Sequence, residues 1–315
     1  MAIIGGTAQT YQLKGLREDL TDMIWSVAPS EVPFCTAVGR TTAKAVSHEW
    51  QTDTLRAPGA NAQIEGDDIT AFDAVTPTVR LSNYTQILRN TLIVSGTADE
   101  VDKAGRKTEL AYQLVKKGKE IRLDVEYMCV GTNTAKAAGA TGTARTSASV
   151  LSWLKTNTDE GATGADPAAA DGTGTRTPGT LRAVAETQLK TVLQSIFNAS
   201  NEPAELMLVG AKQKQAMSTF TGNATRYVDA APERLYASVD RYVHDFGSFV
   251  IKPDRVVRAT DALLINPDLW KLAWLRPIFI DELAKTGDAE KRMILGEVTL
   301  EARNEAGSGG IFDLS

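Results

Sequence analysis

Few residues of this chain have the types and the spacing that a chemical site requires. The 315 residues include two histidines, His48 and His244, and two cysteines, Cys35 and Cys129, each without a close second His or Cys to pair with. A zinc site uses His or Cys in close pairs, and a catalytic nucleophile needs a base beside it. Glycine-rich motifs that bind phosphates or dinucleotides do not occur. The sequence therefore predicts no catalytic residue, no metal ligand and no cofactor.

One enzymatic alternative stays open, a hydrolase that uses His48 or His244 with a nearby Asp. No nucleophile elbow accompanies either histidine. His48 stands two residues from Val46 and from Trp50 in an alternating pattern typical of a strand face, so a structural role is the simpler interpretation. Cys35 and Cys129 have apolar neighbours, which is typical of reduced, packed thiols rather than of a disulfide.

Two groups of carboxylates have structural explanations that require neither catalysis nor metal binding. Asp99, Glu100 and Asp102 stand at the start of a predicted helix, where negative charge complements the helix dipole. Asp67 and Asp68 lie in a stretch rich in Gly, Ala and Asp, and a metal would need a fuller set of ligands than these two. We therefore interpret the first group as helix capping and the second as a solvated loop.

Composition excludes several classes of function. The chain is 43% hydrophobic with a net charge of −5, and Lys and Arg are not concentrated in any segment, which argues against a protein that grips nucleic acid through phosphates. No run of about eighteen apolar residues occurs, so no membrane span is predicted. The N-terminus lacks the basic and apolar regions of a secretory signal. We expect a protein that is made and used inside a cell.

The first 42 residues predict an arm with one small apolar face. Residues 16–27 have apolar side chains at helical spacing, and Pro29 and Pro33 end the pattern. The apolar positions are Leu16, Leu20, Met23, Ile24 and Val27. Such an arm has little core of its own, so it must pack on the main body or on a neighbouring chain.

Two strand patterns follow, at residues 46–51 and 78–95, on either side of residues 57–77, which are rich in Gly, Ala and Asp. The natural interpretation is a long two-stranded hairpin with a mobile acidic tip. Because an isolated two-stranded ribbon is marginally stable in water, it must lie against another surface. Two strands of a conventional sheet remain the alternative.

The element that organises the chain is a long helix predicted from Thr97 to Gly131, about 50 Å in length. Thr97 and Glu100 have the spacing of a capping box, and Arg122 and Glu126 lie one turn apart as an ion pair would. The alternative is an ordinary core helix broken at Gly105 or Gly118.

The remaining chain divides into three parts. Residues 138–178 have a loop composition, with one anchoring patch at Trp153, and cannot bury enough apolar area to form a core. Residues 179–275 alternate helices and strands, beginning with a helix over 179–199 that has Leu181 and Phe197 on its buried side, and form a compact unit of mixed class. Residues 276–315 predict return strands that need a partner upstream.

This order of parts resembles the major capsid proteins of tailed bacteriophages, whose Hong Kong 97-like fold is of the α+β class. Particular stretches strengthen the resemblance, and no single one is as specific as a metal motif. They are 19–22, 29–34, Glu49–Asp53, 220–226, 300–305 and Gly310–Ile311.

The resemblance implies a division into six segments. These are an N-terminal arm (1–42), an extended hairpin loop over a neighbouring subunit (43–93), a peripheral domain with the spine helix (94–137), a surface loop (138–178), an axial domain (179–275), and the return strands and C-terminus of the peripheral domain (276–315). It further implies self-assembly into hexamers and pentamers that enclose double-stranded DNA without reading its sequence. Scaffolding, portal and decoration proteins are possible partners, and assembly would occur in the host cytoplasm.

The arm and the hairpin supply the candidate contacts between subunits. These are Leu20, Ile24, Trp50, Glu65, Asp67, Asp68 and Phe72. The net charge of −5 suits a shell around DNA, because a basic lining would hold the genome through its phosphates. A cellular nanocompartment shell of the same fold and a fibre or decoration protein remain alternatives.

Overall fold

The structure is a computed structural model that describes residues 31–66, 68, 72–103, 105–200, 202–220 and 240–315. The predictions for the helix over 16–27 and for Leu20, Ile24 and Asp67 therefore lie outside the described residues. The helices are α1 Pro33–Ala37, α2 Gly96–Glu100, α3 Glu109–Glu126, α4 Val150–Trp153, α5 Glu186–Ala199 and α6 Ala211–Met217. The first strands are β1 Gly39–Thr42, β2 Ser47–Thr52, β3 Val79–Tyr84, β4 Gln86–Ser95, β5 Thr158–Asp159 and β6 Leu206–Val209. The later strands are β7 Arg241–His244, β8 Gly247–Pro253, β9 Ala262–Ile265, β10 Trp270–Glu282, β11 Ala289–Ala302 and β12 Gly309–Ile311.

A four-stranded sheet in the order β1-β10-β11-β4 carries the long helix. β11 pairs antiparallel with both β10 and β4, so the predicted upstream partner of the return strand is the strand that enters the helix. The predicted single strand over 78–95 divides at Thr85, whose amide N–H donates to the Val46 carbonyl. The part before Thr85 belongs to the ribbon and the part after it to this sheet.

The long helix begins at Glu109 and not at Thr97, so the predicted continuous rod is wrong. After the short α2, Val101 is extended and Gly105 has φ +75°, a left-handed conformation that glycine adopts without strain. Asp99 accepts hydrogen bonds from the backbone N–H groups of Glu109 (2.8 Å) and Leu110 (3.3 Å) and so caps α3 from outside.

The spine helix therefore comprises the 18 residues of α3 and a π-helical turn at Tyr127–Gly131, about 35 Å in all. The predicted capping box is also wrong, because Ser95 Oγ caps α2 by accepting from the Ala98 N–H. Only the C-terminal half of the spine helix has a buried apolar face. Ile121 and Val125 are buried, whereas Val115 is 63% exposed.

The second sheet of the fold has six strands in the order β5-β12-β9-β6-β8-β7. Helix α5 packs on it through Leu189, Val192 and Ile196. The predicted helix over 179–199 starts seven residues late, and Leu181 and Phe197, predicted to be buried, are more than half exposed. The predicted strand over 242–251 is a β7–β8 hairpin instead.

Residues 138–178 are not a solvated loop, although Trp153 anchors them as predicted. Residues 147–154 are all buried, and the Trp153 ring is 0% exposed. Arg176 holds the end of the segment through ion pairs with Glu160 (2.8 Å) and Asp166 (2.5 Å), with its guanidinium 3.6 Å from the centre of the Phe312 ring. Ion pairs within the segment and the contact of Arg176 with the Phe312 ring help to hold it, although its composition is poor in apolar residues.

Candidate assembly surfaces

The ribbon formed by β2 and β3 has an exposed extension. β2 and β3 pair antiparallel from Ser47–Tyr84 to Thr52–Val79, and residues 53–78 extend beyond this ladder. The described residues of that extension are exposed throughout, and four apolar side chains are almost bare: Leu55 (98%), Ile64 (81%), Phe72 (89%) and Val75 (92%). An apolar surface of this kind marks an interaction site.

The base of the ribbon is attached firmly to its own subunit. The Trp50 indole Nε1–H donates to the Ala302 carbonyl (2.8 Å), and its ring lies 5.5 Å from the ring of Trp153. His48 Nε2 lies 2.9 Å from Glu301 Oε2. Rigid attachment at the base therefore fixes the direction in which the exposed part of the ribbon extends.

Glu301 and Glu297 project from β11 toward this attachment. Burial alone would raise the pKa of Glu301, but hydrogen bonds with His48 and Arg303 outweigh it and lower the pKa. Glu297 is buried and binds Arg145 (2.6 Å), Arg276 (2.9 Å) and the Thr85 hydroxyl (2.7 Å). The two carboxylates thus join the sheet, the ribbon base and the 138–178 segment.

Asn83, at the ribbon base, is the polar centre of the same junction. Its side chain is fully buried and donates to the Leu300 carbonyl (2.7 Å) and the Ser147 hydroxyl (3.1 Å). Its Oδ1 accepts from the Ala148 N–H (2.9 Å). The side-chain amide of Asn83 therefore connects three segments that are distant in sequence.

The spine helix holds the root of the arm. Glu126, fully buried, accepts hydrogen bonds from the backbone N–H groups of Phe34 (2.7 Å) and Cys35 (2.8 Å) at the start of α1. Burial raises the pKa of Glu126 to about 7, against the lowering effect of these hydrogen bonds. The predicted ion pair with Arg122 does not form, because the Glu126 carboxylate faces α1.

Neither histidine sits in a catalytic arrangement. His48 contacts Glu301 and, across 5.7 Å, the Trp50 ring. His244 accepts through Nδ1 from the Phe246 N–H, and burial lowers its pKa. Among the described residues no group of three His, Cys, Asp or Glu could hold a metal ion. None of the described helices is both long and apolar enough to cross a membrane.

The predicted contact residues fall into three groups. Glu65, Asp68 and Phe72 are exposed on the ribbon extension, and Leu20, Ile24 and Asp67 lie outside the described residues. Trp50 lies at the base of the ribbon, where its indole N–H donates to the Ala302 carbonyl of its own chain. Whether these residues touch a neighbouring copy stays a prediction.

Three residues of the site escaped the sequence analysis, because their partners lie far away in the chain. These residues are Asn83 and Glu297, which carry no local signal, and Glu126, which the spacing predicts to pair with Arg122. Glu126 carries the one available signal, because it is a carboxylate between the apolar residues Val125 and Met128 of the predicted helix.

The chain as a whole matches known shell proteins. A family model described as SU10 major capsid protein matches residues 3–315. The major capsid protein of Escherichia phage Phieco32 is 26% identical over 342 residues, which cover 96% of each chain. The structure of the cyanophage A-1(L) capsid asymmetric unit aligns with a TM-score of 0.68 at 11% identity, over 97% of this chain and 98% of that one. A phage G structure of major capsid and decoration proteins aligns over 100% of both chains, with a TM-score of 0.55 and 12% identity.

The fold and the whole-length match define a major capsid protein of the Hong Kong 97-like class, a structural protein of tailed-phage heads rather than an enzyme. Within that class the chain belongs to the SU10 major capsid protein family. Its copies form the shell of the virion head. The nanocompartment, hydrolase and fibre alternatives are not favoured.

Proposed function

We propose that the protein builds its shell from hexamers and pentamers in which each ribbon lies over a neighbouring subunit. The observation that carries this proposal is the near-complete exposure of four apolar side chains on the ribbon extension, Leu55, Ile64, Phe72 and Val75. Covering four such side chains would contribute about 6–12 kcal/mol before the cost of ordering the ribbon. Within one subunit no described element covers them.

The same proposal assigns roles to the segments. Residues 1–42 act as the arm and 43–93 as the extended loop, while 94–137 and 276–315 form the peripheral domain. Residues 138–178 form the partly buried segment that connects them to the axial domain, 179–275, which meets its copies around the five-fold and local six-fold axes. Contacts of this head-to-tail type close into rings when the rotation allows.

The shell encloses double-stranded DNA without reading its sequence, and it assembles in the host cytoplasm. The net charge of −5 supports a lining that does not bind phosphates tightly. Scaffolding, portal and decoration proteins are possible partners of such a shell, and the phage G structure includes decoration proteins beside its capsid proteins.

Deletion of residues 57–77 tests the proposal. It leaves five residues, 53–56 and 78, to connect β2 and β3, a length typical of hairpins. We expect a subunit with wild-type circular dichroism that forms no shells in electron micrographs. A full-length variant with Leu55, Ile64, Phe72 and Val75 changed to Ser should fail in the same way.

The matched control changes Asn61 and Gln63 to Ser, which alters polar ribbon residues and leaves the apolar ones, and it should assemble normally. Full-size particles from the deletion would refute the proposal.

A further inference from the structure

The two cysteines of the chain lie on either side of the contact between the root of the arm and the spine helix. Cys35 belongs to α1, and Cys129 belongs to the π-helical turn that ends the spine. Both are free thiols in the structure. The sequence contains no third cysteine, so a disulfide within one chain can form only between these two.

Several contacts bring the two thiols together. The Cys35 N–H donates to Glu126 Oε2 (2.8 Å), and Glu126 lies about one helical turn before Cys129 on the spine. Cys35 packs against the hydrophobic cluster that contains Cys129. The Cys129 thiol, followed by burial and the charge of Glu126, raises the pKa of the Cys35 thiol. The two thiols are therefore neighbours at the root of the arm.

Solvent reaches the two thiols unequally. A groove of about 750 Å³ opens between α1, β1, the spine helix and the middle of β10, and Cys35 lines it. Cys129 is 0% exposed and does not line this groove. A small reagent that enters the groove therefore meets Cys35 first, and Cys129 can react only with the sulfur of Cys35. An accessible cysteine beside a buried resolving cysteine is the arrangement on which thiol–disulfide exchange depends.

We propose that Cys35 and Cys129 are an oxidisable dithiol, which a small-molecule disulfide converts into a covalent bond between the root of the arm and the spine helix. The Cys35 thiolate attacks one sulfur of the small disulfide, whose S–S bond breaks and releases one small thiol. The Cys129 thiolate then attacks the Cys35 sulfur and releases the second small thiol. The protein gives up two electrons and two protons, and the small disulfide takes up both.

The redox state of the surroundings decides which form of the pair is present. Because the thiolate is the reactive form, the raised pKa of Cys35 makes the exchange slow. The pair stays reduced where reducing thiols are abundant, and the bond forms in an oxidising medium. A virion passes from the first medium to the second when it leaves a cell, so the bond fastens the root of the arm after the shell has been built. The exchange itself is a property of the single subunit and does not depend on the proposed assembly.

The intact mass of unassembled subunits tests the inference. Subunits are incubated with oxidised glutathione at mildly alkaline pH, the remaining thiols are alkylated in urea with N-ethylmaleimide, and the mass is measured. The wild type should lose two hydrogens and take up no alkyl group, whereas in excess reduced glutathione it should keep both thiols. Cys129→Ala should stop at one glutathione bound to Cys35. Cys35→Ala should bind none, because Cys129 is buried.

Four results would overturn the inference: two intact thiols in the oxidised wild type, a lasting glutathione adduct on the wild type, a disulfide between two chains, or equal uptake of glutathione by Cys35→Ala. The mass of the wild type decides even where circular dichroism shows that a variant does not fold. Shells seen by electron microscopy together with any of these results would leave the proposed assembly standing.

Thermal unfolding measures how firmly the bond fastens the root of the arm. Oxidation should raise the unfolding temperature of the wild-type subunit by about 5 °C, because the bond closes the long loop between Cys35 and Cys129. The double variant Cys35→Ala with Cys129→Ala has no thiol and is the matched control, whose unfolding temperature should not change with oxidation. An oxidised wild type that unfolds at the same temperature as the reduced one would overturn the proposed fastening.

Discussion

Glu126 of the spine helix and Asp254, which follows β8 of the six-stranded sheet, form a buried pair of carboxyl groups, and burial together with the charge of Asp254 raises the pKa of Glu126. Asp254 Oδ1 accepts from the Val256 N–H (2.8 Å), whereas Oδ2 is buried with no donor among the described residues. Glu126 binds the root of the arm with both oxygens. A proton shared between the two carboxyl groups would supply the donor that Asp254 Oδ2 lacks. The root of the arm, the spine helix and the six-stranded sheet therefore meet at one titratable site.

Stability of the subunit should fall as pH rises through this site. Burial raises the pKa of Glu126 from 4.5 to about 7 and also raises the pKa of Asp254. A carboxyl whose pKa is raised by folding contributes its full stabilisation below pH 4.5, and that stabilisation is lost as pH approaches 7. The loss is up to about 3 kcal/mol, measurable as the free energy of unfolding by urea at several pH values.

Asp254→Asn should remove much of that pH dependence. The Asn Oδ1 can still accept from Val256, and its amide can donate to the Glu126 carboxylate. We expect greater stability than the wild type at pH 8 and a flatter profile between pH 4.5 and 7. Glu126→Gln should also flatten the profile but cost about 1–3 kcal/mol, because its amide faces the Phe34 or the Cys35 N–H. An unchanged slope in both variants would contradict the shared-proton interpretation.

Asn83→Ala should destabilise the subunit by about 2–4 kcal/mol, because it leaves the Leu300 carbonyl and the Ala148 N–H buried without partners. Thermal and urea unfolding measure the effect. Asn61→Ala is the matched control, since Asn61 is exposed on the ribbon and should change stability by less than about 0.5 kcal/mol. Equal effects of the two changes would show that the junction at Asn83 contributes little.

Gly118→Ala should stabilise the spine helix by about 1 kcal/mol, because Ala has the higher helix propensity and no atom lies within 4 Å of the added Cβ. Gly131→Ala, at the end of the π-helical turn, is the contrasting change. Its Cβ would meet the Tyr127 ring and lie 2.9 Å from the Val256 carbonyl oxygen, so it should destabilise. Unfolding of unassembled subunits measures both, and a loss of stability in Gly118→Ala would contradict the prediction.

Trp50→Phe should separate the hydrogen bond from the ring contact at the ribbon base. Phe can still pack against Trp153 but cannot donate to the Ala302 carbonyl, so we expect a loss of about 1–2 kcal/mol. The expected structural sign is faster hydrogen exchange in β2 and β3. If the variant kept both its stability and its exchange rates, Trp50 would not be an anchor.

Local periodicity predicted the elements whose neighbours are close in sequence. The alternation around His48 and Trp50 predicted the ribbon strand. The structural interpretation of His48 is confirmed by its contact with Glu301. The order of these elements was enough to indicate the capsid class.

The errors arose where distant contacts decide the structure. The sequence from Thr97 to Gly131 is compatible with one helix, but Asp99 caps a second start at Glu109 across a turn at Gly105. The 138–178 segment has a loop composition, yet Arg176 and the chain around Asn83 bury it. The two residues of each such contact lie 10 to 65 positions apart in the sequence. At that separation neither composition nor local periodicity predicts a contact.

The central claim is that the ribbon finds its cover on a neighbouring copy, and hydrogen exchange measures this directly. Amides of residues 53–78 should exchange within seconds in unassembled subunits and at least about a hundredfold more slowly in purified shells, because only assembly buries them. Amides of α5, whose buried face packs within the subunit, provide the internal reference. Equally fast exchange of residues 53–78 in both states would contradict the account.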